Sequence, residues 1–339
     1  MVSGFARPAG RKERKTMRRK IRLKQRGGSF RSDAPCYRVQ LFSPRGMYLK
    51  GTCCNPAGLF HADEDMAFAV TYGNGWSDSD HLPYSEVDWL EPEVVRLLGS
   101  VMLAEDEDGC ILRRFYPVPH AGFEIDEERL DLTNTQTAKL VKAALVDTID
   151  NVNWPSYIRA NWATCLGQSF QLTDPTASSK KLQRRYYAAF SHDNHILMRG
   201  VQALIKSDML SHHIEFQEEA TIAAFIALDA SFEMVMRHLR HMGMKSPGSR
   251  EAGDWLYRTF DEPLGLSAGQ GLKYFEEFYE QRIQTIHPGN RFGDLPYAPI
   301  MTDDWVHLRI MLPQVFGYLL IGEHAPHFIR RINEARQAG

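Results

Sequence analysis

Residues 215–243, EFQEEATIAAFIALDASFEMVMRHLRHMG, decide how this chain folds. From Glu218 to Met242 nothing breaks a helix, and around Ile222 to Leu228 apolar residues occupy almost every side rather than one stripe. A helix of that kind belongs at the centre of a bundle, with neighbours on several faces. One acid, Asp229, interrupts the run, and Gly243 with the following SPGS at 246–249 supplies the stop.

The same helical spacing extends outward on both sides. After Asp131 it governs TAKLVKAALVDTIDNV, KLQRRYYAAF, HILMRGVQALIKSDML, GLKYFEEFYEQRIQTIH and DDWVHLRIMLPQVFGYLLIG. Between Cys36 and about Leu130 the pattern differs: short alternating runs (YRVQLF, MYLKGT, MAFAVTYG, ILRRFYPV) stand between Gly, Pro, Asn and Asp punctuation, as strands and turns do. One helix is expected there, in EVDWLEPEVVRLLGSVMLAE, with Pro92 suited to its first turn. The expected fold class is therefore α+β: a basic tail at 1–32, a small β-rich domain at 33–130 and an all-α bundle at 131–335. At 339 residues and 43% hydrophobic content the chain can supply a core to each half.

Charge is divided unevenly. Residues 1–31 hold twelve Lys or Arg against Glu13 alone, whereas the remainder holds 28 basic and 41 acidic side chains. The tail repels itself and has little apolar surface to offset ordering entropy, so it is expected to be disordered alone. It can attract nucleic-acid phosphates in a salt-sensitive way, or serve as a solubilising or targeting segment. No run approaches the length of a membrane span, and no apolar stretch follows the basic start as a secretory signal requires; the expected location is cytoplasmic, with no membrane partner. An Arg-rich start also occurs in mitochondrial addresses, but this one lacks their amphipathic stripe. Five cysteines without a C-x-x-C pair signal neither a disulfide framework nor a zinc ribbon.

The stretch FYEQRIQTIHPGNRFGD, residues 278–294, carries the chemistry. On a helical wheel with Leu272 at zero, Phe275, Phe278, Tyr279, Ile283 and Ile286 form one apolar arc, and Arg282 falls inside it at about 280°. A guanidinium in an apolar interior needs a partner, because an unpaired buried ion is costly. Asp229 is the most economical internal partner; otherwise the arc faces a second subunit and Arg282 lines a groove. Pro288 disfavours helical geometry at His287, which ends the helix on an imidazole.

Arg282, four intervening residues and His287 match the R-x(4-6)-H signature of HEPN domains, which are α-helical bundles, and the segment EEATIAAFIALDASFEMVMRHL resembles the long apolar helix of Apea-like HEPN proteins. The resemblance spans about residues 180–325. It implies a homodimeric, metal-independent RNase that needs no cofactor, with the two motif helices forming a composite cleft. His287 would act as general base on a ribose 2′-hydroxyl or as general acid on the leaving oxygen. Arg282 would hold the scissile phosphate, and Asp229, or alternatively Glu233, would orient the arginine. Tyr279, Asn290 and Arg291 beside the motif are the candidate RNA contacts. Active members usually carry a polar residue after the arginine, where this chain has Ile283. A non-catalytic HEPN-like dimerisation or nucleic-acid-binding module is the alternative.

The signature recurs at Arg114 to His120, broken by Pro117 and Pro119, and at Arg185 to His192, which ends in a turn-like SHDN and is the lesser candidate. His212, His213, Glu215, Glu218 and Glu219 have no metal-ligand spacing, and acids at a helix start have a dipole explanation; no metal is expected. GLSAGQGLKY lacks the ending of a phosphate-binding loop. Trp255, Tyr257 and Phe260 read as core rather than a base-stacking platform.

Overall fold

The computed structural model describes residues 21–25, 35–73, 90–105, 115–127, 129–149, 169–174, 178–267 and 302–338. In chain order the elements are β1 (Leu23–Gln25), β2 (Cys36–Phe42), β3 (Met47–Leu49), β4 (Gly51–Cys54), β5 (Gly58–Ala62), β6 (Ala67–Gly73), α1 (Pro92–Leu103), β7 (Pro117–Ile125), α2 (Thr135–Ile149) and β8 (Gln171–Thr173). They continue with α3 (Lys180–Ala189), α4 (His195–Leu210), α5 (Gln217–His241), α6 (Ser249–Leu256), a π-helical turn at Tyr257–Asp261, α7 (Thr302–Ile321) and α8 (Pro326–Ala338). The layout is α+β, an antiparallel sheet followed by helices.

Six strands form the sheet in the order β1-β7-β2-β6-β5-β4, and every neighbouring pair is antiparallel. Side chains alternate between its faces, as a pleated strand requires. Tyr37, Val39, Leu41, Leu59, Phe68, Val70 and Phe123 meet Ala138, Val141, Leu145 and Ile149 of α2 on one face. Phe60, Ala62, Ala67 and Ala69 belong to the other, which packs with α1 into a core continuous with α3, α4, α5 and α7. Both faces are thus covered by helix, and one core draws on sheet and bundle alike. Leu23–Gln25, inside the basic stretch expected to lack structure, pairs its backbone with Phe123–Ile125, and the adjoining Ile21 is buried against the α2 side of the sheet. A small parallel pair, β3 with β8, ties residue 173 back to the sheet half.

The central helix forms where the apolar run predicts it. Glu218 and Glu219 stand in the first turn of α5 and Arg240 in the last, each charge placed favourably for the peptide dipoles. Gly243 adopts φ +97°, with its N–H bonded to Arg240 O and that of Met244 bonded to Leu239 O, a Schellman termination. α4 packs along α5, and α7 lies on α5 and α3. A Cβ at Gly200 would stand 2.7 Å from Phe316 Cζ and 3.1 Å from Ala230 Cβ, so glycine lets α4, α5 and α7 approach closely. Trp255, Phe260, Tyr318, His324 and Phe328 interlock as an aromatic cluster between the end of α6, α7 and α8. Trp255 and Phe260 are accordingly packing residues. No helix among the described residues is long and apolar enough to cross a membrane.

Candidate functional site

Arg282, His287, Tyr279, Asn290 and Arg291 lie outside the described residues. Asp229 lies on α5 and is the one exposed residue between Ala223 and Ser231, where every other side chain is buried or half-buried. Glu233, one turn on, is held by its own helix through Arg237 Nε at 3.1 Å and Arg240 Nη1 at 3.3 Å. Glu233 is thus tied to basic side chains of its own helix, and Asp229 is exposed at a point where the central helix is otherwise covered. The described residues run to 267 and resume at 302, and the flanking helices α6 and α7 both pack against α5.

The lesser motif is fully visible, and its two residues go to different partners. Arg185, on α3, pairs with Glu323 at 2.9 Å on the surface. His192, in the α3–α4 loop, places Nε2 2.6 Å from Glu93 Oε2. Its ring is 45% exposed, whereas the Glu93 side chain on α1 is only 5% exposed. The other oxygen of Glu93 accepts from the Tyr187 hydroxyl. Arg96, one turn along α1, donates from Nη1 to Glu93 at 3.5 Å and from Nε to the Tyr187 carbonyl at 2.9 Å, with its guanidinium 4.1 Å from the Tyr187 ring centroid. Burial and the adjacent Glu93 charge both push the Tyr187 hydroxyl well above its usual titration range. The phenol stays protonated and donates. A buried carboxylate thus holds a surface imidazole by one nitrogen, an arrangement that fixes the tautomer as it does in hydrolases. Glu93 thus joins α1 to the α3–α4 corner through Tyr187 and His192, and the cluster reads as a strut. Sequence alone could not have found it, since Glu93 and Tyr187 lie 94 positions apart.

His120 of the third R-to-H pattern lies in strand β7. His212 and His213 diverge: the His212 ring meets the edge of Tyr116 at 5.7 Å, and His213 pairs loosely with Glu215 at 4.0 Å. Among the described residues no group of three or more His, Cys, Asp or Glu is arranged to hold a metal ion.

Two further charge clusters went unnoticed in the sequence. Arg309, in the apolar run of α7, grips Asp208 of α4 and reaches Glu105 at 3.4 Å. Arg309 is 2% exposed and Asp208 wholly buried, so the group braces α4 against α7 and cannot meet a substrate. The other cluster lies at the sheet edge. Thr52 Oγ1 is 2.9 Å from His61 Nδ1, and His61 Nε2 is 3.0 Å from Asp63 Oδ2. Asp63 is also tied by Lys142 of α2 at 2.6 Å and by the N–H groups of Asp65 and Met66. With its carboxylate consumed by a turn and a lysine, this line of groups pins the β5–β6 turn onto α2.

No protein-family model, curated protein or solved structure matches the chain.

Proposed function

We propose that the helical half is an HEPN-type ribonuclease that cleaves RNA without a metal and acts as a homodimer. The supporting structural observation is the outward-facing Asp229 on the long central helix, in a bundle whose α6 and α7 both pack on that helix. The segment carrying Arg282 and His287 is joined to these two elements. An acid there is suited to orient the Arg282 guanidinium, as the resemblance to HEPN domains implies.

Cleavage is a transfer within the RNA. His287 takes the proton from a ribose 2′-hydroxyl, the 2′-oxygen attacks the adjacent phosphorus, and the bond from phosphorus to the 5′-oxygen breaks. The leaving oxygen takes up a proton, from an imidazolium or from water. Arg282 stabilises charge on the phosphoryl oxygens with its planar fork of donors. The products are a 2′,3′-cyclic phosphate and a 5′-hydroxyl.

Purified protein incubated with a mixed RNA pool in EDTA tests this reading. Wild type should cleave, while His287→Ala and Arg282→Ala should keep the same assembly state and lose at least about a hundredfold in rate, the scale of a missing general acid–base group. Wild type inert with and without EDTA would favour the second reading, a non-catalytic HEPN-like dimerisation or nucleic-acid-binding module. Ile283, at a position usually polar in active members, is the observation in favour of that alternative.

A further inference from the structure

Helix α3 divides sharply into two halves. Leu182, Gln183, Tyr186 and Tyr187 are buried, and Lys180, Lys181, Arg184, Arg185, Ala188 and Ala189 are exposed. At 100° per residue from Lys180, the exposed set spans an arc of about 180°, with Lys180 and Arg184 in one row and Lys181 and Arg185 in the next. The outer half is therefore four cations and two alanines. No acid lies anywhere on this helix.

This concentration of charge is unfavourable on its own. Like charges one turn apart repel, and both lysines sit in the first turn, at the end of the peptide dipoles that disfavours cations. Outside the amino-terminal tail the chain has a large excess of acids, yet among the described residues only Arg185 of the four draws an ion-pair partner, the exposed Glu323. Lys180, Lys181 and Arg184 make no ion pair with any described residue. The helix cannot roll to hide them. Ser179 caps its start, Gln183 is locked between Ser178 Oγ at 2.7 Å and Cys53 Sγ at 2.8 Å, and Tyr187 is bound to Glu93. Ala188 and Ala189 leave the outer face low enough for a polymer to lie across it. The apolar side is wholly engaged in the core, so a lipid surface would meet charge alone, without the insertable face that an interfacial helix needs.

We infer that the outer face of α3 is a phosphate-binding track, on which the RNA backbone rests against Lys180, Lys181 and Arg184. The identity of the polymer rests on the ribonuclease reading; the anion requirement does not. Phosphate contacts of this kind position a nucleic acid without reading its bases, so the track is expected to be indifferent to sequence.

Fluorescence anisotropy of a fluorescein-labelled oligouridine, titrated with full-length protein between 50 and 200 mM salt, tests the track. The triple variant Lys180→Gln/Lys181→Gln/Arg184→Gln should weaken binding at low salt by at least about tenfold and flatten the log–log salt slope by about 2, the sum of three single-strand phosphate contacts. Arg237→Gln/Arg240→Gln/Lys245→Gln removes equal charge from the end of α5 and should leave the slope within about 0.5 of wild type. In unmodified protein, RNA should protect Lys180 and Lys181 from amine-reactive labelling, which reads the contact without any substitution. An unchanged slope in the α3 variant, or no protection, overturns the track. So does tighter α3-dependent binding to phosphatidylserine-containing vesicles than to RNA. Cleavage is scored separately: a flattened slope in a protein that never cuts RNA keeps the track and removes the nuclease, and cutting with an unchanged slope does the reverse.

Discussion

Arg309 of α7 meets Asp208 of α4 through two contacts, Nε to Oδ1 at 2.7 Å and Nη2 to Oδ2 at 3.0 Å, with both side chains buried. Burial alone would favour the neutral forms, but the Asp208 and Glu105 charges outweigh it and push the guanidinium further up. Removing one partner leaves a buried charge alone. Arg309→Leu should lower stability in urea unfolding by about 3–5 kcal/mol, and Arg309→Met with Asp208→Leu should recover most of that loss. A single variant within about 0.5 kcal/mol of wild type would show that the pair does not brace the bundle.

Two glycines with opposite surroundings give opposite signs. Gly200→Ala drives a methyl toward Phe316 and Ala230 and should cost about 1–3 kcal/mol. Gly253→Ala on α6 meets nothing within 4 Å and should stabilise by about 0.5–1 kcal/mol through helix propensity. Thermal melts of the pair should move in opposite directions.

Asp63 makes part of the stability acid-sensitive. Burial would raise its carboxyl, but hydrogen bonds from Lys142 and His61 outweigh that and hold it down at about 2. An unfolded aspartate titrates near about 3.9, so the stabilisation is complete above that pH and is lost as pH falls toward about 2. Lys142→Met lifts Asp63 toward its ordinary range. The variant should be less stable than wild type at pH 6, and the gap should close between about pH 4 and pH 2. A gap of constant size at every pH would show that Lys142 acts through packing alone.

The elements were legible wherever local pattern carried them. Pro92 opens α1, the apolar run at 218–242 is α5 within one residue at each end, and HILMRGVQALIKSDML is α4 from end to end. Strand β1 hid in the basic stretch because its bonds to β7 are made by backbone, to which side-chain charge is no guide. β8 was missed because three residues are too short to show a period. The spacing changes from strand to helix near Asp131, but burial does not change with it: α2 packs on the sheet, and α1 joins the sheet to the bundle. The clusters around Glu93 and Arg309 were invisible because their partners are brought together by tertiary packing across 94 and 101 positions. The R-x4-H motif was legible as a pattern in sequence alone, and its residues lie outside those described.

His192 offers a check on the strut at the α1–α3 corner. Glu93→Gln removes the charge that holds Tyr187, Arg96 and His192 together, and should destabilise by about 1–3 kcal/mol, the scale of hydrogen bonds to a buried charged group. RNA cleavage per folded molecule should be unchanged. A large loss of cleavage with intact stability would move the chemistry from Arg282 and His287 to this cluster.

Attack by a ribose hydroxyl is tested most directly with two oligonucleotides of one sequence, all-ribo and with a single 2′-deoxy residue at the mapped cleavage position, incubated with wild type in EDTA. The expected result is cutting of the first to a 2′,3′-cyclic phosphate and a 5′-hydroxyl, and no cutting of the second at that bond. Equal cutting of both, or cutting that appears only when a divalent metal is restored, would contradict the HEPN-type mechanism.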